Sequence, residues 1–435
     1  MPEAFPVSNG MNFTKKTFKN GLQLILVPLK ESTSVTALVM VKTGSKYEEK
    51  KQAGLSHFLE HMCFKGTEKR PNALAITKEL DSIGAQYNAF TSHEYTGYYA
   101  KAHPKYLSKI IDVVSDIYIN PNFDSKEIEK EKGVIIEEMN MYQDTPARYI
   151  GDLFMELLYG DQPAGWGIIG NKETVRSFGP EDFIKYQKNH YVASATTVIL
   201  AGAFDKKDAI KEVEKAFSKI STSKKFNKIS VKEMQKKPEI LFKHKDTDQT
   251  HLMLGVRAFK ASDKRIPILT VMNSVLSGGM SSRLFQKLRE EMGVCYYVRS
   301  FVDEYTDHGY FAVGAGVDNQ RMEEVIKAIL EELKRLKTEK ISEQELKKTK
   351  DYLVGNLFLN LETTDSLAEL YGFQNVLGLN LKNPKEITQQ IREVSAEQIQ
   401  KVAKEIFDKK NLNLAVIGKQ QNKQSGLQEI LEKGL

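Results

Sequence analysis

The chain has 435 residues, 41% of them hydrophobic and 28% charged, with only two cysteines. That length and balance predict two to four domains with sizeable cores, and exclude wholesale disorder, a fibrous architecture and a disulfide-stapled scaffold. The 63 basic residues are interspersed with 57 acidic ones, so the net charge of +6 leaves no nucleic-acid footprint.

In chain order, aliphatic and β-branched runs predict strands at 22–27 and 35–43, then a helix over 56–63 and a strand pair within 87–102. Helical patterns follow at 105–119 and 125–142, a loop at 163–170 and a buried strand at 196–201. The stretch 206–238 is lysine-dense and polar, and its second part reads as a linker. The order of segments then recurs. Residues 35–41 resemble 250–256, 54–59 resemble 279–284, 92–96 resemble 302–306, and 125–138 resemble 343–356. The offsets at these landmarks, 215, 225, 210 and 218 residues, are nearly constant and argue for a duplication. The expected division is residues 1–225 and 226–435.

A duplication makes differences between the copies informative. One copy reads Ser56-His57-Phe58-Leu59-Glu60-His61 where the other reads Ser281-Ser282-Arg283-Leu284-Phe285-Gln286. Glu131 and Glu138 correspond to Thr349 and Asn356. Shared folding needs do not explain histidines and carboxylates kept in one copy alone. His57 and His61, four apart on a helix, project from one face and suit a single metal ion. A carboxylate would complete three protein ligands of a tetrahedral zinc site whose fourth position stays open to water. Glu60 can reach a water there as general base while staying off the metal. His-x-x-Glu-His is the inverted zincin arrangement. Candidates for the carboxylate lie on the helical pattern 131–139, where Glu131 and Glu138 are two turns apart on one face and Glu137 is rotated away.

With Glu138 following His61 by 77 residues, the pattern resembles the pitrilysin/insulinase family of zinc metallopeptidases, which includes the mitochondrial processing peptidases and their bacterial relatives. The resemblance covers nearly the whole chain. It implies an α+β fold of two tandem homologous α/β domains, each a mainly antiparallel sheet flanked by helices. It implies one Zn2+ per chain on His57, His61 and Glu138, with Glu131 as an auxiliary glutamate that does not bind metal. Gln86–Ser92 resembles the family's edge strand, so Asn88, Ala89 and Phe90 are expected to hold substrate backbone. Leu288–Tyr296 resembles its Arg/Tyr motif, so Arg289 and Tyr296 are expected to stabilise the oxyanion. The implied activity is endopeptidase cleavage of extended or unfolded peptides inside a chamber. The implied assembly is a homodimer with a composite active site, Arg289 and Tyr296 of one chain serving the zinc of the other. A non-catalytic scaffold subunit, and a catalytic subunit that needs a different non-catalytic partner, are the alternatives.

Other polar residues are expected to be structural. Cys63 points away from the metal on its helix, Cys295 alternates to the face opposite Tyr296, and the remaining histidines lack ligand-spaced neighbours. The longest apolar runs are too short for a membrane span of roughly 20 residues. No signal-peptide pattern opens the chain. The expected location is a bacterial-type cytoplasm, with an organelle matrix as the alternative.

Overall fold

A computed structural model describes residues 11–419 and 424–435. The first half runs β1 (Thr14–Thr17), β2 (Gln23–Pro28), β3 (Val35–Val41), α1 (Leu55–Cys63), α2 (Ala73–Asp81), β4 (Gln86–Thr91) and β5 (Thr96–Ala102). It continues through α3 (Leu107–Ile119), α4 (Ser125–Gln143), α5 (Pro146–Tyr159), α6 (Lys172–Ser177), α7 (Pro180–His190), β6 (Thr196–Gly202) and α8 (Lys206–Ala216). The second half begins with β7 (Glu239–His244), β8 (Gln249–Ala258), α9 (Ile266–Ser277), a π-helical segment at Phe285–Glu291, β9 (Cys295–Glu304) and β10 (Gly309–Asp318). It ends with α10 (Met322–Thr338), α11 (Glu343–Asn360), α12 (Thr364–Val376), α13 (Pro384–Glu393), α14 (Ala396–Ile406), β11 (Asn413–Gly418) and α15 (Gln424–Lys433).

The duplication is visible in the strand order. One sheet is ordered β1-β2-β6-β3-β5-β4 and the other β7-β11-β8-β10-β9. Leaving out β1, each strand of the first sheet has a counterpart at the same place in the second. In both sheets a single pair is parallel (β2 with β6, β7 with β11) and the other pairs are antiparallel.

One of the sequence pairings is corrected by the elements. Residues 279–284 do not open the counterpart of α1. In the first unit α1 packs on edge strand β4 and on α7, and in the second α9 packs on edge strand β9 and on α14. The partner of α1 is therefore α9, Ile-Pro-Ile-Leu-Thr-Val-Met-Asn-Ser-Val-Leu-Ser, and 279–284 follows it.

The compact units are not contiguous in sequence, so a division at residue 225 needs correction. One unit comprises residues 11–139, 167–229 and 358–386; the other comprises 140–166, 230–357 and the described residues of 387–435. Each sheet is covered by a helix encoded in the opposite half of the chain. In the first unit the central strands β3 and β6 are buried along their whole length, as a sheet sandwiched between helices requires. Val35, Ala37, Val39 and Val41 join the core under α3, while α12 covers the other face. Gly372 permits that approach, since a Cβ there would meet the Met40 sulfur at 2.5 Å. Asn375 pins α12 by donating to Gln23 and Thr197 at 2.7 Å each and accepting from Lys15 at 2.7 Å. In the second unit Ile150, Leu153, Phe154 and Leu158 of α5 pack against Met253, Ala312, Ala415 and Ile417 of its sheet. Arg257 donates to the Leu158 carbonyl, and the Tyr159 hydroxyl lies 2.7 Å from His308 Nδ1.

Candidate metal centre

Helix α1 presents His57 and His61 on one face, with ring centroids 4.6 Å apart. The long helix α4 brings Glu138 to both: its Oε2 lies 3.7 Å from each Nε2. One ligand atom from each of the three residues falls within 4.8 Å of the others. A tetrahedron with bonds of about 2.1 Å has edges of about 3.4 Å, so two imidazoles and a carboxylate at these spacings fit zinc after a small contraction. Among the described residues this is the one cluster of three or more histidine, cysteine or acidic side chains spaced to hold a metal.

The neighbours fix the chemistry of the ligands. Glu131, buried two turns before Glu138 on α4, lies 2.9 Å from His61 Nδ1 and 2.5 Å from Lys65 Nζ. Burial works to raise its pKa, but these hydrogen bonds win and hold the carboxyl below its ordinary value. An ionised Glu131 can only accept, so Nδ1 of His61 carries the proton and its Nε2 lone pair is left for a metal. Burial, reinforced by the nearby His61, pushes the His57 pKa down to about 3, which keeps that imidazole neutral. Burial likewise raises Glu138. Glu60 is raised by burial and by Glu138, while the Thr91 hydroxyl, donating at 2.6 Å, and His61 pull the other way.

Thr91 ends β4, the outer strand of the sheet. Where the β4–β5 hairpin turns, the Ser92 N–H donates to the Tyr95 carbonyl at 2.8 Å. Counting back by twos, Phe90, Asn88 and Gln86 aim their backbone groups at β5, whereas Thr91, Ala89 and Tyr87 turn theirs outward. Of the three expected substrate-strand residues, Ala89 therefore offers main-chain groups to the outer edge and the other two do not. Asn88 instead folds its side chain over, accepting the Ala89 N–H at 2.9 Å. Phe90 packs its ring on Gly97, Tyr95 and Phe373.

Arg289 and Tyr296 lie in the other unit, on the π-helical segment and on β9. One Arg289 N–H donates to the Tyr296 carbonyl at 3.3 Å, and Tyr296 is 63% exposed. Cys63 is buried and bonded to Tyr98, and burial lifts its thiol pKa to about 12. Sequence reasoning missed Thr91, Lys65 and Glu48. Lys65, four residues after His61, carried a faint helical signal, and Thr91 shares the alternation of Tyr87 and Ala89. Glu48, which lies outside any helix, carried none.

The sequence matches the family model described as Insulinase (Peptidase family M16) over residues 25–172. It matches the one described as Peptidase M16 inactive domain over residues 177–353. It is 36% identical to an uncharacterized zinc protease of Bacillus subtilis, over 90% of this chain and 95% of that one. An uncharacterized zinc protease of Rickettsia bellii is 33% identical, over 94% and 98% of the two chains. In fold it resembles a protease from Helicobacter pylori, with a TM-score of 0.87, 24% identity and coverage of 94% and 99%. A Pseudomonas fluorescens structure titled peptidase M16 inactive domain gives a TM-score of 0.86 at 16% identity, over 94% and 98%.

Proposed function

This chain belongs to the insulinase family of peptidases, M16, and on that footing we propose that it is a zinc-dependent endopeptidase cutting extended or unfolded peptides. The observation that carries the reading is the convergence of His57, His61 and Glu138. Zinc held there, one per chain, supplies a Lewis acid that lets water ionise near neutral pH. The remaining steps belong to the chain's own groups.

Glu60 takes the proton of the attacking water and returns it to the leaving amine, a task suited to a carboxyl raised by its surroundings. Thr91 holds the Glu60 carboxylate in place, and Glu131 holds the His61 tautomer. The outward main-chain groups of Ala89 pair with the peptide as an added strand, which tolerates many sequences. Asn88 and Phe90 shape that strand rather than bond to it, and Asn88 must release the Ala89 N–H on binding. Arg289 and Tyr296 donate to the developing oxyanion from a second copy of the chain in a homodimer; the exposure of Tyr296 favours this role. Two free thiols and, among the described residues, no helix long and apolar enough to cross a membrane accord with work in a cytoplasmic interior.

The test is metal analysis joined to digestion of an unfolded protein. We expect about one zinc per chain, cleavage lost on chelation and restored by zinc, and a rate lowered at least ~100-fold in Glu60→Gln with zinc retained. A zinc-free chain inert on a peptide library would sink the reading in favour of a scaffold. Mixing Glu60→Gln with Tyr296→Phe chains should recover activity; no recovery after proven subunit exchange would remove the composite site.

A further inference from the structure

Helix α1 starts on an anchor of an uncommon kind. Its N-cap, Gly54, sits in the left-handed region at φ +95°, and a Cβ there would come within 2.5 Å of the Ile169 carbonyl oxygen. Glycine fits the space but brings no side chain to cap the first turn. Glu48, six residues earlier and only 3% exposed, does so instead. Its Oε2 accepts the Gly54 N–H at 2.9 Å and its Oε1 accepts the Ser56 N–H at 2.6 Å. The Ser56 hydroxyl lies 2.7 Å from the Tyr186 hydroxyl, which ties the same turn to α7. Burial pushes the Glu48 pKa up to about 7, against the pull of those bonds. The helix N-terminus favours the ionised form, yet an acid buried this deeply is a costly cap.

The second unit anchors its counterpart helix more lightly. The N–H of Arg265, the N-cap of α9, is accepted at 2.9 Å by Asp263 Oδ1 from only two residues back, and the second helical position, where α1 has Ser56, is Pro267, which has no N–H to hold. The buried carboxylate that grips two backbone N–H groups at once is in the copy that carries the histidines. Ser56, one of its two attachment points, immediately precedes His57.

We propose that Glu48 is a positioning residue for the metal centre: by fixing the backbone at Gly54 and Ser56 it sets the rise and rotation of the turn from which His57 projects. The gap between the His57 and Glu138 ligand atoms is then a property of the Glu48 clamp as well as of the two helices. This inference rests on the zinc reading above, and its failure is separable from the failure of that reading.

The experiment measures the affinity of the full-length protein for Zn2+ alone, by competition with a chelating dye, and the visible spectrum of the Co2+-loaded protein. Glu48→Gln keeps the shape but turns an amide N–H towards one of the two backbone donors. We expect it to weaken zinc about tenfold and to shift the cobalt bands, within the range seen when partners of metal ligands are altered. Tyr186→Phe, a milder change that loosens the same turn, should weaken zinc about twofold to threefold and keeps the test alive should Glu48→Gln fail to fold. Asp116→Asn is the control: it disturbs a buried carboxylate bonded to Arg70 and Thr67 in the same unit and should lower stability without touching zinc affinity or the cobalt spectrum. Folded Glu48→Gln with zinc affinity within twofold of the parent and an unchanged spectrum would overturn the inference. So would parent-like zinc binding by Tyr186→Phe if Glu48→Gln does not fold. A parent protein that binds no zinc would instead overturn the function proposed above.

Discussion

The two units share strand order, strand directions and the helices on their faces, yet they use their equivalent helix pairs differently. In the first, α1 and α4 meet through two imidazoles and a carboxylate. In the second, α9 has no histidine or carboxylate, and α11 carries Thr349 and Asn356 where α4 carries Glu131 and Glu138. Thr349 is buried, and Asn356 donates to the Tyr352 carbonyl of its own helix. The same scaffold is built with these groups in one unit and without them in the other, so the strand order and helix packing do not call for the imidazoles and carboxylates of the first site.

The hairpin turns make the same contrast with a stability readout. Glu94, between β4 and β5, is fully buried and meets Lys46 at 2.7 Å. Glu304, at the matching turn, has a buried oxygen with no hydrogen-bond partner, and burial pushes its pKa up to about 7. The largest expected effect is on Glu94→Gln, which removes the buried negative charge shared by Lys46 and Lys228 and should cost about 3 kcal/mol in chemical denaturation. Glu131→Gln comes next. It should weaken zinc on the order of 10-fold to 100-fold by freeing the His61 ring, read by dye competition, with the fold intact by circular dichroism. Glu304→Gln should act in the opposite direction to Glu94→Gln. The folded protein holds a proton on Glu304 that the unfolded chain releases near pH 4.5, so stability falls as pH rises from there through about 7. The variant should therefore raise Tm by a few degrees at pH 8 and leave it nearly unchanged at pH 4. Equal shifts at both pH values would show that the Glu304 carboxyl is not held neutral by the fold. The smallest effect is a null one: Asn356→Glu restores the missing carboxylate on α11 but should bind no second zinc, because α9 offers no imidazoles.

Much of the candidate site was legible because ligand-type side chains on helices leave periodic marks. His57, Glu60 and His61 fall within two turns, and Glu131 and Glu138 differ by two turns, so spacing alone placed each set on one face. The strands β3 and β6 announced themselves as unbroken apolar runs, as central strands covered on both faces do. The exchange of α5 and α12 left no such mark. An apolar helical face says that a helix is buried but not which of two similar sheets it covers, and residues 146–159 and 364–376 fit either. Glu48 was invisible for a related reason. Its partners are backbone N–H groups, which every residue offers, so no side-chain pattern points to it. The pairing of 54–59 with 279–284 misled because a glycine followed by a helix start recurs wherever a chain turns into a helix.

The exchanged helices also bear on how the molecule is made. Synthesis runs from the amino terminus, and the first sheet has all its strands once β6 ends at Gly202, but α12, which covers its second face, ends at Val376. At translation rates of about 5–20 residues per second, Met40, Leu38 and Ile199 wait roughly 10–35 s on the ribosome for the helix that shields them. The nascent chain therefore passes through a stage in which a nearly finished sheet shows one bare hydrophobic face. A product truncated between the repeats would be held at that stage and would be expected to aggregate or to occupy chaperones.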